Sequence, residues 1–400
     1  MTWLPKDVPA SSTISGIGHA TDFWFAFNNY QNRRRIESDD LTFMIPFSAD
    51  CEERLMNLFY CLPWIVFNTT AKIHLAIHEQ DSNFEQDGWQ IFRTGKVRGS
   101  EDVIPFIKSN PGKLASVDAS YEFMERFTSN FLLNRFQGAK PDDQARYFEA
   151  IGKPMAAAQG HGDSAVIVPD FSAITRDFVS RTTITYERRE EDSPFHRTRY
   201  LNEMLDKVDT KYVVNHDADV IVPVKSMSRA LHILRFWDNT PFVYPYEHYE
   251  KGNYQIRVGS HEKIRDRIAN ACFTGDLTDV CLSGEIMRWS AAYGQSIFCE
   301  TAFYKAVGGE NEEFISWGAE DVERYTRFVK SNAGVARCEG GYVFHLEHPR
   351  GADSSWKNPN FMNNEHLWTK LQAMDGPELI EYYKNCQYIK KYGWKLGEIE

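Results

Sequence analysis

The sequence predicts an α/β fold, in which helices flank a mostly parallel twisted sheet and a helical insertion interrupts the sheet. The apolar run Leu41–Phe47, a stretch with apolar residues at helical spacing over 52–66 and a second apolar run over 72–78 form a β-α-β opening. Two further apolar runs at 165–168 and 182–186 resume the alternation. Alternating strands and helices of this kind are typical of a parallel sheet.

Length and periodicity predict one large domain with additions. A chain of 400 residues, 42% of them hydrophobic, supplies enough apolar material for such a core. We expect an N-terminal extension over 1–38 and the main domain over 39–400. Within the main domain we expect an insertion over about 84–163, with helical patterns such as 121–136, and a C-terminal helical segment over about 360–400.

Charge and cysteine content narrow the class of protein. The formal net charge of -11 disfavours nucleic acid and anionic lipid as partners, so no nucleic acid is expected. No apolar run approaches the roughly 18 residues that cross a bilayer, so no integral membrane segment is predicted. The seven cysteines lack any Cys-x-x-Cys pair, which indicates free thiols in a reducing compartment. Without a signal peptide pattern, the prediction is a cytoplasmic protein.

The first chemistry-bearing segment is Asp217-Ala218-Asp219, which follows the predicted helix 197–208 and the predicted strand 211–214. Carboxylates at the carboxyl end of a parallel strand stand where α/β sheets bind ligands. Two acids with one spacer can hold a hard cation that bridges to a diphosphate. The triplet also arises by chance, so a solvated turn is the alternative interpretation.

The second segment is Trp317-Gly318-Ala319-Glu320-Asp321. Trp317 beside Gly318 offers a flat apolar platform for a sugar face. The adjacent acids can divide their roles, one binding hydroxyl groups and the other accepting a proton. The alternative is an ordinary helix start, because acidic residues favour the first turn of a helix.

Histidine and arginine side chains complete the candidate set. An imidazole beside carboxylates suits Mn²⁺ better than Ca²⁺, but spacing alone leaves open whether His345 or His348 would serve. A histidine that is merely hydrogen-bonded is the alternative. Arg197, near the start of a predicted helix, suits a phosphate or a carboxylate partner, and a solvated basic face is its alternative.

In order and spacing these segments resemble the β-1,4-galactosyltransferase and chondroitin-polymerase group of inverting GT-A glycosyltransferases, which have a Rossmann-like sheet. The resemblance spans roughly 41–80 and 180–370. The family often has basic residues after its first strand, where this chain has Ser48-Ala49-Asp50, and Gln295 replaces a second glycine of its sugar-contacting turn. The segments that carry the resemblance are Ile45-Pro46-Phe47, Phe195–Asn202, Asp217-Ala218-Asp219, Tyr293–Ser296, Val307–Glu310, Trp317–Asp321 and Phe344-His345.

The resemblance implies a donor site built around a divalent metal, Mn²⁺ with Mg²⁺ as the alternative. Asp219 and His345 would ligate the metal, with His348 as the alternative ligand and Asp217 contacting the ribose or the metal shell. The donor would be a nucleotide-diphosphate sugar, UDP-linked, that carries a hexose or N-acetylhexosamine. The other residues implied in donor or nucleotide binding are Pro46, Phe47, Arg197, Asn202 and Ala218.

The resemblance also implies an acceptor side. Asp321 would be the catalytic base, Glu320 would position sugar hydroxyl groups and Trp317 would stack on a sugar, with a glycan or another hydroxyl compound as the acceptor. The sugar-binding residues would further include Gly294, Gln295 and Gly318. The process implied is polysaccharide biosynthesis.

Two other classes stay open at this point. A nucleotidyltransferase shares the sheet and the carboxylate-bound metal, but it needs a glycine-rich loop with a basic residue near the first strand, which Ser48-Ala49-Asp50 does not supply. A non-catalytic sugar-binding relative would keep the fold and leave the acids as surface residues.

Overall fold

A computed structural model describes the core of the chain. The described residues are 35–48, 51–80, 180–189, 193–247, 255–258, 271, 277, 285–287 and 293–397. The predicted insertion over 84–163, the predicted strand over 165–168 and residues 1–34 of the predicted extension lie outside the described residues.

The described chain contains both strands and helices along its whole length. The strands are β1 (Leu41–Ser48), β2 (Lys72–Gln80), β3 (Thr182–Arg189), β4 (Tyr212–His216), β5 (Val220–Ile221), β6 (Phe242–Tyr244), β7 (Gln255–Val258), β8 (Glu285–Met287), β9 (Ser296–Glu300), β10 (Val335–Arg337) and β11 (Val343–Leu346). The helices are α1 (Glu52–Asn68), α2 (Arg197–Lys207), α3 (Val224–Phe236), α4 (Thr301–Ala306), α5 (Glu320–Lys330), α6 (Phe361–Gln372), α7 (Gly376–Asn385) and α8 (Gln387–Tyr392).

Among the described residues, the main sheet has seven strands in the order β10-β6-β9-β4-β1-β2-β3. Strands β4, β1, β2 and β3 run parallel to one another, and only β9 runs antiparallel to its neighbours β4 and β6. The prediction of a mostly parallel sheet flanked by helices is therefore confirmed. Every residue of β1 is buried because the strand lies inside the sheet, which explains why its residues are mainly apolar.

A smaller, four-stranded sheet in the order β5-β11-β7-β8 accompanies the main one, and the sequence did not predict it. Its antiparallel pair β5–β11 sets Val220 opposite His345. The backbone N–H of Leu346 also donates to the carbonyl of Asp219, at 2.8 Å. This pairing brings the end of β11 beside the turn that follows β4.

Helices α6 to α8 form a separate apolar cluster at the end of the chain. Buried side chains of this cluster include Phe314, Leu371 and Tyr383. Through Phe314 the cluster supports the loop that leads into α5. Within the ranges that the structure describes, no helix is both long enough and apolar enough to cross a membrane.

Candidate active site

A cleft of about 400 Å³ opens where β1 and β4 end. The carboxyl ends of parallel strands are the expected place for a ligand in such a sheet. Predicted site residues that line the cleft are Pro46, Phe47, Arg197, Asp217, Ala218, Asp219, Gly294, Gln295, Trp317, Glu320, Asp321, His345 and His348. The fold thus brings both halves of the predicted site into one cavity.

One wall of the cleft holds a cluster of potential metal ligands, Asp219, His345 and His348, whose ligand atoms all lie within 4.8 Å of one another. The Oδ2 atom of Asp219 lies 3.0 Å from Nε2 of His348 and 3.9 Å from Nε2 of His345. The spacing in the sequence left the two histidines as alternatives. The structure places both within reach of the same ion.

The surroundings of His345 fit a metal ligand. Its Nδ1 faces Oε1 of Glu347 at 3.5 Å, and the same oxygen pairs with Nε of Arg257 at 2.8 Å. A carboxylate behind one imidazole nitrogen orients the ring so that the other nitrogen points to a metal. One carboxylate and two imidazoles form a donor set suited to Mn²⁺ and other transition metals rather than to Ca²⁺.

Electrostatics keep the carboxylate of this cluster ionised. Burial alone would raise the pKa of Asp219, but His345, His348 and Arg54 outweigh burial and hold it well below its usual range. For His345 burial lowers the pKa, and the charges of Asp219 and Glu347 more than offset it, so the pKa lies above its ordinary value. Positive neighbours therefore favour the anionic form of Asp219, which is the form that binds a cation.

Asp217 lies outside the three-residue cluster. Its Oδ1 accepts a hydrogen bond from Nη2 of Arg197 at 2.7 Å. Arg197, the first residue of α2, also donates to Oδ1 of Asn215 at 3.0 Å and lies 3.7 Å from Oδ1 of Asp321. The side chain of Arg197 is only 15% exposed, so its interpretation as part of a solvated basic face is wrong. It connects the acids of the two predicted motifs.

The second predicted motif, Trp317–Asp321, places the acids Glu320 and Asp321 on the first turn of α5. Burial and the charge of Asp321 raise the pKa of Glu320 to about 7. Burial also acts to raise the pKa of Asp321, but Arg324 and Arg197 outweigh it and lower that pKa. Nη2 of Arg324 donates to Oδ1 of Asp321 at 2.7 Å. At neutral pH the cleft therefore holds an ionised Asp321 beside a Glu320 that is partly protonated.

The turn before β9 packs closely against Asp321. A methyl group on Gly294 would lie 2.2 Å from Oδ2 of Asp321, so the position has room for glycine alone. Gln295, the next residue, has φ +75° and turns the chain back into the strand. Nη2 of Arg324 donates to the carbonyl of Tyr293 at 2.7 Å, which ties this turn to the same arginine that holds Asp321.

Trp317 stands at the mouth of the cleft, 37% exposed, and stacks on Phe361 with ring centroids 5.6 Å apart. Ser316 and Ala319 have φ near +60° and Gly318 has φ +136°, so the loop turns sharply and presents the indole outward. Gly318 does not line the cleft. A methyl group there would meet the Phe361 ring at 3.1 Å, so the predicted direct sugar contact of Gly318 is replaced by a packing role.

Asn202, which the resemblance implied in donor binding, does not line the cleft. Its side chain is fully buried and lies outside the cleft. Nδ2 donates to the carbonyl of Glu310 at 2.8 Å and to Oε1 of Glu312 at 3.0 Å. Asn202 lies on the buried face of α2 and holds the loop before α5. The motif alone could not show this, since it does not reveal which face of the helix is covered.

Residues that sequence reasoning missed also line the cleft. Arg54, on the first turn of α1, donates from Nε to Nδ1 of His348 at 3.2 Å. Asp353 accepts from the hydroxyl of Ser316 at 2.8 Å and from the backbone N–H of Phe195 at 3.1 Å, which joins two walls of the cleft. The position of Arg54, a basic residue in the first turn of the helix after β1, could have indicated from the sequence that it lies near the ligand-binding edge of the sheet. No local pattern marked Asp353.

Comparisons with known proteins bear on this site. Residues 284–349 match a family model described as the N-terminal domain of galactosyltransferase. That stretch runs from β8 through β11 and contains Gly294, Asp321, His345 and His348. No curated protein sequence gives a significant match.

Among solved structures, the chain is similar to the catalytic domain of Drosophila β1,4-galactosyltransferase 7 in complex with xylobiose. The identity is 10%, the TM-score is 0.35, and the match covers 85% of this chain and 82% of that one. The family match covers the stretch from β8 to β11, and there it agrees with the resemblance that the sequence motifs carry.

Proposed function

We propose that the protein is a metal-dependent, inverting glycosyltransferase that moves a hexose or N-acetylhexosamine from a UDP-linked sugar to a hydroxyl group of a glycan. The observation that carries the proposal is that one cleft contains both the cluster Asp219, His345 and His348 and a separate ionised acid, Asp321. An inverting transfer needs those two functions on different sides of the sugar.

The donor half of the proposal rests on the metal-ligand cluster. Asp219, His345 and His348 would hold a divalent cation, Mn²⁺ or alternatively Mg²⁺. Such a cation neutralises the negative charge of a diphosphate leaving group. Pro46, Phe47 and Ala218 line the neighbouring wall and offer mainly apolar contact for a base and ribose. Asp217, already paired with Arg197, would bind ribose hydroxyl groups rather than the metal.

The acceptor half rests on Asp321. The acceptor hydroxyl group would give its proton to the Asp321 carboxylate as its oxygen attacks the anomeric carbon. The bond from that carbon to the diphosphate oxygen breaks at the same time, and the diphosphate leaves on the opposite face. Arg324 donates to Oδ1 of Asp321, so Oδ2, against which Gly294 packs without a side chain, would be the oxygen that accepts the proton. Glu320 would donate or accept hydrogen bonds with sugar hydroxyl groups, and Trp317 would stack on a sugar ring.

The first test is a thermal-shift screen of nucleoside diphosphates with and without Mn²⁺. We expect a shift that needs both UDP and Mn²⁺, because the cation binds the enzyme and the diphosphate together. If UDP gives the shift, UDP-sugars are then tested as donors for metal-dependent transfer to glycan acceptors. Metal-dependent hydrolysis or transfer distinguishes an enzyme from a sugar-binding relative, and pyrophosphate release from a nucleoside triphosphate would indicate a nucleotidyltransferase.

The second test is the stereochemistry of the product. A single displacement turns an α-linked donor into a β-linked product. The anomeric proton of the purified product, observed by NMR, reports the configuration directly. An α-linked product would contradict the role given to Asp321.

We propose the cytoplasm as the compartment and a polysaccharide as the end product. Among the described residues Cys299, Cys338 and Cys386 are buried free thiols, which supports a reducing compartment. Thiol titration of the protein purified under native conditions tests this part.

A further inference from the structure

A buried ion pair lies behind the candidate base Asp321, outside the cleft. Arg324, one turn after Asp321 on α5, has a side chain that is 0% exposed, and Glu310, in the loop between α4 and α5, has one that is 1% exposed. Nη1 of Arg324 donates to Oε1 of Glu310 at 2.7 Å. Neither side chain lines the cleft, and the proposed transfer gives Glu310 no role.

The guanidinium group of Arg324 connects this pair to the cleft. Nη2 donates to Oδ1 of Asp321 and to the carbonyl of Tyr293, each at 2.7 Å. Tyr293 precedes Gly294, which packs on Oδ2 of Asp321. Because a guanidinium group presents its donors in a rigid, planar fork, binding of Nη1 by Glu310 also restricts where Nη2 can lie. Glu310 therefore orients the arginine that holds both the base and the turn beside it.

Glu310 is itself fixed by the core of the domain. Its Oε1 also accepts from Nδ2 of Asn215 at 2.9 Å and from the hydroxyl group of Tyr304. Its backbone N–H donates to Oδ1 of Asn202 at 2.8 Å, and its carbonyl accepts from Nδ2 of the same residue at 2.8 Å. These partners belong to β4, α4 and α2. Three elements of the domain thus determine the position of the Glu310 carboxylate.

The same network reaches the second arginine beside the base. Oδ1 of Asn215 accepts from Nη2 of Arg197 at 3.0 Å, and Nη1 of Arg197 lies 3.7 Å from Oδ1 of Asp321. The contacts form a closed ring of five side chains, Asp321, Arg324, Glu310, Asn215 and Arg197. Both positive groups that face the base are therefore held from behind by Asn215 and Glu310.

Stability alone does not account for the pair. Replacing a buried ion pair by apolar residues of similar volume is often neutral or stabilising, because taking two charges out of water is costly. A second pair on α5, Arg327 with Glu323, is buried to a similar extent, with side chains 4% and 2% exposed. Its further contacts include the hydroxyl group of Tyr383 in the C-terminal helices. The helix therefore carries one buried pair that holds Asp321 and one that faces elsewhere.

We propose that Glu310 and Arg324 are positioning residues for the transfer, which fix the carboxylate of Asp321 so that Oδ2 receives the proton of the acceptor hydroxyl group. The inference rests on the proposed function, because it depends on Asp321 being the base. A small displacement of a catalytic group costs rate, since the reacting atoms no longer meet in the productive geometry. Loss of the pair should therefore lower kcat and leave the binding of Mn²⁺ and UDP intact.

The experiment removes both charges together, so that no lone charge is left buried. The double variant Glu310→Met/Arg324→Met is made in the wild type and in Asp321→Asn. In the wild type we expect kcat to fall about tenfold or more, with unchanged calorimetric affinities for Mn²⁺ and UDP. In Asp321→Asn the same replacement should change kcat by less than about twofold, because residues that act through one group are not additive.

Two milder variants keep the test valid if the double variant does not fold. Arg324→Lys keeps the buried charge but lacks the fork, so kcat should fall about fivefold in the wild type and stay unchanged in Asp321→Asn. Glu310→Gln keeps an acceptor oxygen for Nη1 of Arg324, so it should retain most of the activity. Urea denaturation shows that each variant is folded under the assay conditions.

Glu323→Met/Arg327→Met is the matched control, since it removes a pair of the same charges and similar burial from the same helix. Its kcat should stay near that of the wild type. Equal falls in kcat for the two double variants overturn the inference, and so does a further full loss in Asp321→Asn. An active wild type with normal kcat in Arg324→Lys overturns the inference alone. A wild type that transfers no sugar from any UDP-sugar overturns the proposed function and the inference with it.

Discussion

The two sides of the cleft are built in different ways. The side that we propose binds the donor takes Asp219 from the turn after β4, His345 and His348 from around β11 and Arg54 from α1, so it is assembled from distant parts of the chain. The side that we propose binds the acceptor takes Trp317, Glu320 and Asp321 from one loop and helix start. Changes on the donor side should therefore remove ligand binding, whereas changes on the acceptor side should slow the reaction and leave binding intact.

The electrostatics of the two sides differ as well. On the donor side, positive neighbours favour the ionised form of Asp219. On the acceptor side, the pKa values of the two adjacent acids are shifted in opposite directions. Burial raises the pKa of Glu320 to about 7, while Arg324 and Arg197 lower the pKa of Asp321. Two neighbouring acids with separated pKa values are typical of sites that divide acid, base and binding roles.

The largest effect is expected from loss of the metal site. Asp219→Ala, or a chelator on the wild type, should reduce transfer by about 10³-fold or more, because charge stabilisation by the metal is worth several kcal/mol. UDP binding in Mn²⁺ should be lost with it. Mn²⁺ should restore the chelated wild type better than Ca²⁺, since two imidazoles disfavour Ca²⁺. Activity that survives in the presence of a chelator would show that transfer does not need a metal on the proposed donor side.

Asp321→Asn should isolate the acceptor side. The substitution keeps the shape and removes the base, so kcat should fall by about 10²-fold or more, while the affinities for Mn²⁺ and UDP stay near those of the wild type. Steady-state kinetics and calorimetry on the same preparation give both quantities. Asp209→Asn, at an exposed pair with Lys72, is the control for loss of a carboxylate. Near-normal kcat would show that another group is the base.

Gly294→Ala tests the close approach of the turn to Asp321. The added methyl group would lie 2.2 Å from Oδ2, and Arg324 restrains the other oxygen, so the carboxylate must shift. We expect kcat to fall by about tenfold, since small displacements of a catalytic group are costly. Mn²⁺ and UDP should bind normally. Gly351→Ala, where an added methyl group meets nothing within 4 Å, is the control, and equal kcat for the two variants would refute the steric argument.

The smallest effect concerns stability and pH. The pKa of Glu320 in the folded protein, about 7, lies above its ordinary value of 4.5, so the folded state binds the proton more tightly than the unfolded state. Its stabilising contribution is complete below about pH 4.5 and is lost as the pH rises towards 7.

Glu320→Gln should remove that pH dependence. Between pH 5 and pH 8 the wild type should lose on the order of 1–3 kcal/mol of unfolding free energy relative to the variant. Urea denaturation at the two pH values measures the difference. Parallel losses in both proteins would mean that Glu320 is ionised throughout this range.

The sequence by itself determined the fold class and most of the acceptor side. The mainly apolar run of β1 indicated a buried strand, and Asp217-Ala218-Asp219 after an apolar strand indicated the ligand-binding edge of the sheet. Trp317, Glu320 and Asp321 are neighbours in the chain, so local rules for loops and helix starts were enough to place them together.

Only the tertiary structure decided how the donor side is completed. Whether His345, His348 or both face Asp219 depends on the antiparallel pairing of β5 with β11, and periodicity carries no information about such a long-range pair. The contact of Arg54 with His348 depends on where α1 packs. Asn202 is excluded from the cleft because its face of α2 is covered by the loop at Glu310. Sequence patterns report the local period of burial, whereas a site made from distant segments is set by how those segments pack.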